Sequence, residues 1–134
     1  MLTASPFNLP WGTSVWATIQ ARNLIGDSLT SEAGNGSIIL VAPDAPVNLV
    51  NLPKITNAYQ VGLSWSAGAS EGGTPITEYV VSYDNGNNGA SFVVFQTGVL
   101  TSEYTATGLT AGVNYQFKVQ AKNAYGLSEY STVK

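Results

Sequence analysis

Carboxylates are the main groups in this chain that could do acid–base chemistry, because its 134 residues contain no His and no Cys. This removes the commonest general base, thiolate nucleophiles and zinc–thiolate sites. A glycosidase needs only two facing carboxylates, one of them with a raised pKa. Glu71, Glu78, Asp84 and Glu103 fall in separate predicted loops and strands. We therefore expect no catalytic pair, no enzyme activity, no cofactor and no metal site.

The segment Asp84-Asn-Gly-Asn-Asn-Gly89 is rich in oxygen-bearing side chains and faintly resembles a calcium loop. An EF-hand loop needs Asp or Asn at its third position and a distal Glu. Gly86 occupies the third position, and no acidic residue follows at the required spacing. We therefore predict an exposed hairpin turn between Tyr83 and Phe92.

Composition excludes two classes of partner. The net charge is −3 and only 10% of residues are charged, which is the wrong balance for binding nucleic acid. The longest apolar run, 38–42, is far too short to cross a membrane, so we expect no membrane insertion. Residues 1–12 lack the features of a secretory signal. Either the protein is not exported, or the sequence is a piece of a longer chain, which we favour.

An internal repeat links the two ends of the sequence. Residues 12–31 align with residues 112–131 at a constant offset of 100, without a gap. Leu9 and Leu109 precede the two segments at the same spacing. A period of this size indicates tandem small domains. The identical pairs within the segments are Gly12/Gly112, Gln20/Gln120, Ala21/Ala121, Asn23/Asn123, Gly26/Gly126, Ser28/Ser128 and Ser31/Ser131.

The hydrophobic pattern has a period of two throughout, which is typical of strands with one buried face. Residues 115–121, for example, alternate apolar and polar side chains. Clusters of Gly, Asn, Ser and Pro separate the alternating runs. Seven short strands at this spacing predict an antiparallel β-sandwich. We expect them near 47–51, 60–66, 76–83, 91–97, 102–107, 113–122 and 128–133.

The order of short motifs resembles the fibronectin type III family. The motifs are Pro43-Asp-Ala-Pro46, Leu63-Ser-Trp65, Gly72-Gly-Thr-Pro75 followed by Tyr79-Val-Val81-Ser-Tyr83, Tyr104 to Leu109, Gly112-Val-Asn-Tyr115 and Gly126-Leu-Ser128. The resemblance implies an all-β fold, an immunoglobulin-like seven-stranded antiparallel sandwich. It implies a near-complete module over 42–134, preceded by an N-terminal partial module over 1–41 that contains the last strands, E, F and G, of another copy.

The aromatic residues of the near-complete module are interpreted as core. Trp65 is predicted to fill the space between the sheets. The spacing Leu109-x-x-Gly112-x-x-Tyr115 is similar to a tyrosine corner, in which the hydroxyl group bonds to nearby backbone. The predicted core residues are Trp65, Tyr79, Val81, Tyr83, Leu109, Tyr115, Phe117 and Val119.

Alternation places Glu78, Val80 and Ser82 on the outer face of the third strand. The resemblance implies that the sixth strand is its neighbour in the sheet. We expect a surface contact between Glu78 and Lys118 across these two strands.

Four residues are candidate interface residues. Trp16 matches the outward-facing Gln116, so it is predicted to lie exposed, either as an interface residue or packed on Trp11 or the linker. Tyr125 is a loop aromatic that either contacts a partner or folds back on its turn. Ile38 and Ile39 complete the set. The family's Arg-Gly-Asp adhesion motif does not occur, so integrin binding is not implied.

These features predict a non-catalytic extracellular or cell-surface module from a tandem array, acting as a structural spacer, in cell adhesion or in protein binding. The expected partners are proteins or neighbouring modules of the same chain. Residues 1–41 are expected to pack on the sandwich, to exchange with it or to self-associate with a second chain, because an incomplete sandwich cannot bury its own apolar face. Truncation of a longer chain is the alternative explanation of the fragment. The alternatives for function are an accessory module of a secreted carbohydrate-active enzyme and a receptor-like ligand-binding module.

Overall fold

The computed structural model describes residues 3–134, so the prediction for 1–41 extends in part beyond the described residues. The chain divides between Leu40 and Val41 into two compact units. Among the described residues no helix is long and apolar enough to span a membrane. The strands are β1 (Ser14–Ala17), β2 (Gly34–Ile38), β3 (Val47–Asn51), β4 (Gln60–Ser66), β5 (Glu78–Tyr83), β6 (Val93–Val99), β7 (Glu103–Thr107) and β8 (Phe117–Lys122).

The second unit is an antiparallel β-sandwich. One sheet has the order β3-β4-β7 and the other has the order β6-β5-β8. Alternating side chains of both sheets meet in one core, as a sandwich requires. The fold class predicted from the sequence is thereby confirmed.

Trp65 on β4 lies at the centre of that core with 3% of its surface exposed. Its ring meets the ring of Tyr79 edge to face, with the centroids 5.4 Å apart. Tyr83 and Tyr115 pack against the core but are only partly buried. The predicted core residues that are buried are Trp65, Tyr79, Val81, Leu109, Phe117 and Val119.

The predicted last strand, 128–133, is irregular in the structure. Its backbone runs beside β8, because the amides of Ser128 and Ser131 donate to the carbonyls of Ala121 and Val119. In the opposite direction, the Val119 amide donates to Ser131 Oγ at 3.0 Å and the Ala121 amide to Ser128 Oγ at 2.9 Å. Side-chain hydroxyls thus replace backbone carbonyls as acceptors, which interrupts a regular ladder.

The register of β5 and β8 corrects the expected ion pair. Lys122 lies opposite Glu78, whereas Lys118 lies opposite Ser82. The ammonium group of Lys122 accordingly contacts the Glu78 carboxylate at 2.7 Å. Lys118 instead places its ammonium group 4.0 Å from the centre of the Phe92 ring. The prediction of a Glu78–Lys118 contact was wrong, because alternation defines a face but not a register.

The outer face of β5 is more buried than alternation suggests. Val80 is 5% exposed and Ser82 is fully buried. β5 is the central strand of its sheet, with β6 on one side and β8 on the other. Ser82 Oγ has no hydrogen-bond partner among the described residues.

The first unit contains a two-stranded antiparallel sheet. Trp16 pairs with Asn35 and Val15 pairs with Ser37, so Gly36 is an extra residue that forms a β-bulge. Three strands were expected for 1–41, but 3–13 contains none, so the expected strand E is absent there. The amides of Phe7 and Asn8 both donate to the Ala4 carbonyl, and this tight turn prevents an extended conformation.

Replacing Ser82 by Ala is expected to raise the free energy of unfolding by about 1 kcal/mol. The reason is that a buried hydroxyl without a hydrogen bond costs about 1–3 kcal/mol. Denaturant unfolding measures the change, with the exposed Ser102→Ala as a control that stays within about 0.5 kcal/mol of the parent. A destabilised Ser82→Ala protein would show that this hydroxyl has a partner.

Candidate functional site

The two copies of the repeated segment form hairpins with the same hydrogen bonds. In the first unit the Ile19 amide donates to Ser31 Oγ at 2.8 Å, and the Ala21 amide to Ser28 Oγ at 3.0 Å. The corresponding bonds of Val119 and Ala121 in the second unit are 3.0 and 2.9 Å. Equal spacing of Ser, Ala and Asn therefore produces the same local structure twice.

The surroundings of the two hairpins differ. Val119 and Ala121 are fully buried in the sandwich, whereas Ile19 is 74% exposed and Ala21 is also exposed. Short hairpins do not bury an apolar face by themselves. The apolar face of the first unit, defined by Ile19 and Ala21, is therefore exposed where its counterpart in the second unit is core.

Asn123 joins three segments at one end of the sandwich. Its Nδ2 donates to the carbonyls of Val41 and Glu71, each at 2.8 Å. Its Oδ1 accepts from the amides of Tyr125 at 2.9 Å and Gly126 at 3.0 Å. The side chain is 2% exposed, so these bonds are shielded from water. Asn123 thus ties the start of the second unit to a loop and to a turn.

The segment that begins the second unit is held by further backbone contacts. The Val41 amide donates to the Gly72 carbonyl at 2.9 Å, and the Asp44 amide to the Ser70 carbonyl at 2.9 Å. A Cβ atom on Gly72 would lie 2.1 Å from the Val41 carbonyl oxygen, and its φ is +77°. Only glycine fits there. Pro43 and Pro46 are buried in this segment and restrict its backbone.

The loop after β5 is organised around the Asp84 carboxylate. Asp84 is 1% exposed and accepts the amides of Gly86 at 3.0 Å, Gly89 at 2.9 Å and Gln116 at 2.9 Å. Burial by itself would raise the pKa of Asp84, but the backbone N–H donors outweigh it and hold the pKa below its usual range. The carboxylate is therefore used as an acceptor of N–H groups, which supports the prediction of a turn.

The other carboxylates are separated from one another. Glu78 is paired with Lys122, and Glu71 and Glu103 are exposed. Within residues 3–134 no group of three or more acidic residues comes together in a way that could hold a metal ion. The site residues proposed from sequence are thus not brought into one cleft.

The candidate interface residues are divided between the two units. Trp16 is 63% exposed on β1, and Tyr125 is 64% exposed in its turn. Ile38 is half exposed, while Ile39 is half-buried and exchanges backbone hydrogen bonds with the segment before β1. Asn123 was not among the residues singled out from the sequence. Its identity with Asn23 in the repeat was the available signal.

The tyrosine corner has the predicted hydrogen bond. Tyr115 lies at the end of the sandwich, and its hydroxyl oxygen accepts the Thr110 amide at 3.1 Å. The bond ties this residue to the turn that follows Leu109. Tyr115 therefore combines a partly buried ring with a polar contact to the backbone.

Replacing Asp84 by Asn is expected to lower stability at neutral pH, since the loop loses a charged acceptor. The folded-state pKa lies below the unfolded value of about 3.9, so the charge contributes stability at higher pH. This contribution is lost as the pH falls through the folded pKa. The difference in free energy of unfolding between parent and variant is therefore constant near pH 7 and shrinks in acid. A difference that does not depend on pH would contradict this origin.

Replacing Asn123 by Asp separates its two roles, because a carboxylate keeps the acceptor for the turn and loses both donors. We expect a loss of about 1–3 kcal/mol in the free energy of unfolding and faster hydrogen exchange at the Val41 amide. Asn23→Asp is the matched control, since Asn23 makes the same turn bonds at 2.8 and 3.1 Å. Equal effects of the two substitutions would mean that the contacts to Val41 and Glu71 add nothing.

Comparisons with known proteins agree with this geometry. The chain is 32% identical over 115 residues to protein sidekick-1 of Homo sapiens, covering 80% of this chain and 5% of that protein. It is 32% identical over 134 residues to chitinase A1 of Niallia circulans, covering 92% of this chain and 17% of that protein. The chain thus spans only a small part of the length of the curated relatives it matches.

Solved structures and a family model give the assignment. A crystal structure of titin domains matches with a TM-score of 0.69 and 25% identity, covering 90% of this chain and 39% of that one. A solution structure of the fibronectin type III domain of human fibronectin type III domain containing protein 3 matches with a TM-score of 0.60 and 25% identity, covering 74% and 88%. The family model described as fibronectin type III domain matches residues 44–133. On the sequence pattern, the sandwich and these matches together, the chain belongs to the fibronectin type III family.

Proposed function

We propose that this chain is a non-catalytic structural module of a tandem fibronectin type III array, acting as a spacer and as a protein-interaction unit at the cell surface or outside the cell. The observation that supports this is the repeated hairpin with the same hydrogen bonds in both units. In this proposal the first unit is the end of one module and 42–134 is the next module.

The spacer role rests on how the second unit begins. Val41 is bonded to Gly72 and to Asn123, and the segment contains two buried prolines. Fixed backbone at the start of a module reduces the freedom of the linker that precedes it. A linker restricted in this way transmits the orientation and spacing of neighbouring domains better than a free one.

The interaction role rests on the apolar face of the first unit. Ile19 is 74% exposed, whereas its counterpart Val119 is fully buried. Trp16 adds an exposed aromatic side chain, a type enriched at protein interfaces. We propose that residues 1–41 pair with a neighbouring module or with a second copy of the chain. An extended edge and an unpaired core face both favour such association.

We propose that the module is non-catalytic because its carboxylates form contacts within the fold or are isolated at the surface. Asp84 accepts three amides and Glu78 forms an ion pair, so both are engaged in the fold. An acid–base pair needs two positioned carboxylates with different environments, and Glu71 and Glu103 are simply exposed. The low charge content of 10% and the absence of His support a structural role.

The similarity to chitinase A1 over 92% of the chain favours one alternative, an accessory module of a secreted carbohydrate-active enzyme. Such a module would position a catalytic domain or bind the polysaccharide itself. Trp16 and Tyr125 are among the exposed aromatic residues that sugars would stack on. A receptor-like ligand-binding module would use the same exposed side chains.

Light scattering over a range of protein concentrations tests the interaction role. We expect the average molar mass of the parent protein to rise with concentration. The molar mass of Ile19→Lys should stay at the monomer value, because a charge on the apolar face opposes its burial. Ser102→Lys, an exposed position in the second unit, is the control and should associate like the parent. A parent protein that is monomeric at every concentration would remove self-association from the proposal. Co-sedimentation with chitin, lost in Trp16→Ala, would favour the accessory-module alternative.

A further inference from the structure

The chain contains three Asn-Gly pairs in different environments: Asn35-Gly36, Asn85-Gly86 and Asn88-Gly89. Such pairs are chemically reactive because a glycine amide nitrogen approaches the preceding side chain without obstruction. The nitrogen attacks the Asn Cγ, the side-chain nitrogen leaves as ammonia, and a cyclic succinimide forms. Water then opens the ring to aspartate or isoaspartate. The overall reaction consumes one water and releases one ammonia.

Two of the three glycine amides are held by a carboxylate. The Gly86 amide donates to Asp84 Oδ1 at 3.0 Å and the Gly89 amide donates to Asp84 Oδ2 at 2.9 Å. Each nitrogen must lose its proton to attack, and a neighbouring carboxylate opposes that loss. The hydrogen bond also directs the nitrogen toward Asp84, so the attack requires local opening of the loop.

Space around these two glycines is also restricted. A Cβ atom on Gly86 would lie 2.6 Å from Val113 Cγ1, and one on Gly89 would lie 2.6 Å from Gln116 Oε1. The backbone at both glycines is therefore packed against neighbouring side chains. Hydrogen bonding and packing together hold these two pairs in place.

Asn35-Gly36 has no carboxylate of this kind beside it, since among the described residues the Gly36 amide donates to no side chain. Gly36 is the extra residue of the bulge in β2, without a partner in the register with β1, so the ladder is locally disrupted. Asn35 and Gly36 are exposed, and a Cβ atom on Gly36 would meet nothing within 4 Å.

We propose that Asn35 is a site of spontaneous deamidation, and that the hydrogen bonds to Asp84 protect Asn85 and Asn88 from the same reaction. Conversion of Asn35 adds one negative charge to a chain whose net charge is −3. The isoaspartate product also adds a methylene to the backbone of β2, which shifts its register with β1. The reaction would therefore act on the first unit and leave the sandwich intact.

Incubation of the full chain in neutral buffer, followed by digestion and mass spectrometry, measures conversion at each pair. We expect Asn35 to convert and Asn85 and Asn88 to convert at least about tenfold more slowly, since their amides react only after local opening. In urea, where the loop is unfolded, the three pairs should react at similar rates. Gly36→Ala is the chemical control, because a methyl group hinders attack and should slow conversion of Asn35 alone.

Asp84→Ala tests the protecting group directly, with circular dichroism to confirm that the sandwich is folded. We expect the rates at Asn85 and Asn88 to rise toward that at Asn35, whose own rate is unchanged. If this variant does not fold, the comparison of native with urea-unfolded parent protein decides the question. Equal rates at the three pairs in the native chain, or an Asn35 that reacts only in urea, would overturn the proposal.

Discussion

A two-stranded hairpin cannot bury its own apolar face, and the rest of this structure depends on that constraint. β8 and the segment after it form such a hairpin, whose inner residues Phe117, Val119 and Ala121 are almost fully buried. They are buried because Leu63 and Trp65 on β4 face them from the other sheet. The same hairpin in the first unit leaves Ile19 exposed. Local hydrogen bonds thus form the hairpin, while an opposing sheet makes it part of a core.

The polar groups of this protein are mostly used to shape backbone. Asp84 organises a loop, Asn123 joins three segments, and Ser128 and Ser131 take the place of carbonyl acceptors. Each is buried, so each hydrogen bond is shielded from water and its loss leaves unpaired amides. This use of polar residues fits a structural module. It also explains why carboxylates are present without forming a pair suited to catalysis.

Prediction from the sequence succeeded where the signal was local. It failed where the outcome depended on segments that are distant along the chain. The strands predicted near 47–51 and 60–66 coincide with β3 and β4. The partner of Glu78 was predicted wrongly, because antiparallel register depends on long-range pairing. The burial of Val80 and Ser82 was missed, since it comes from the strands on either side of β5. Asn123 was passed over because its contacts lie 52 and 82 positions away in the sequence.

The sequence by itself determined the all-β class, the repeat with its offset of 100, the tyrosine corner and Trp65 as core. The all-β class follows from side-chain periodicity, which operates before any tertiary contact forms. The repeat follows from residue identities, and the tyrosine corner and Trp65 follow from short motifs that resemble the family. Only the tertiary structure decided which identical hairpin is buried, which Lys meets Glu78 and how Asn123 binds Val41. Those outcomes depend on segments that are distant along the chain and are brought together by packing of the two sheets, because burial and register belong to the whole sandwich.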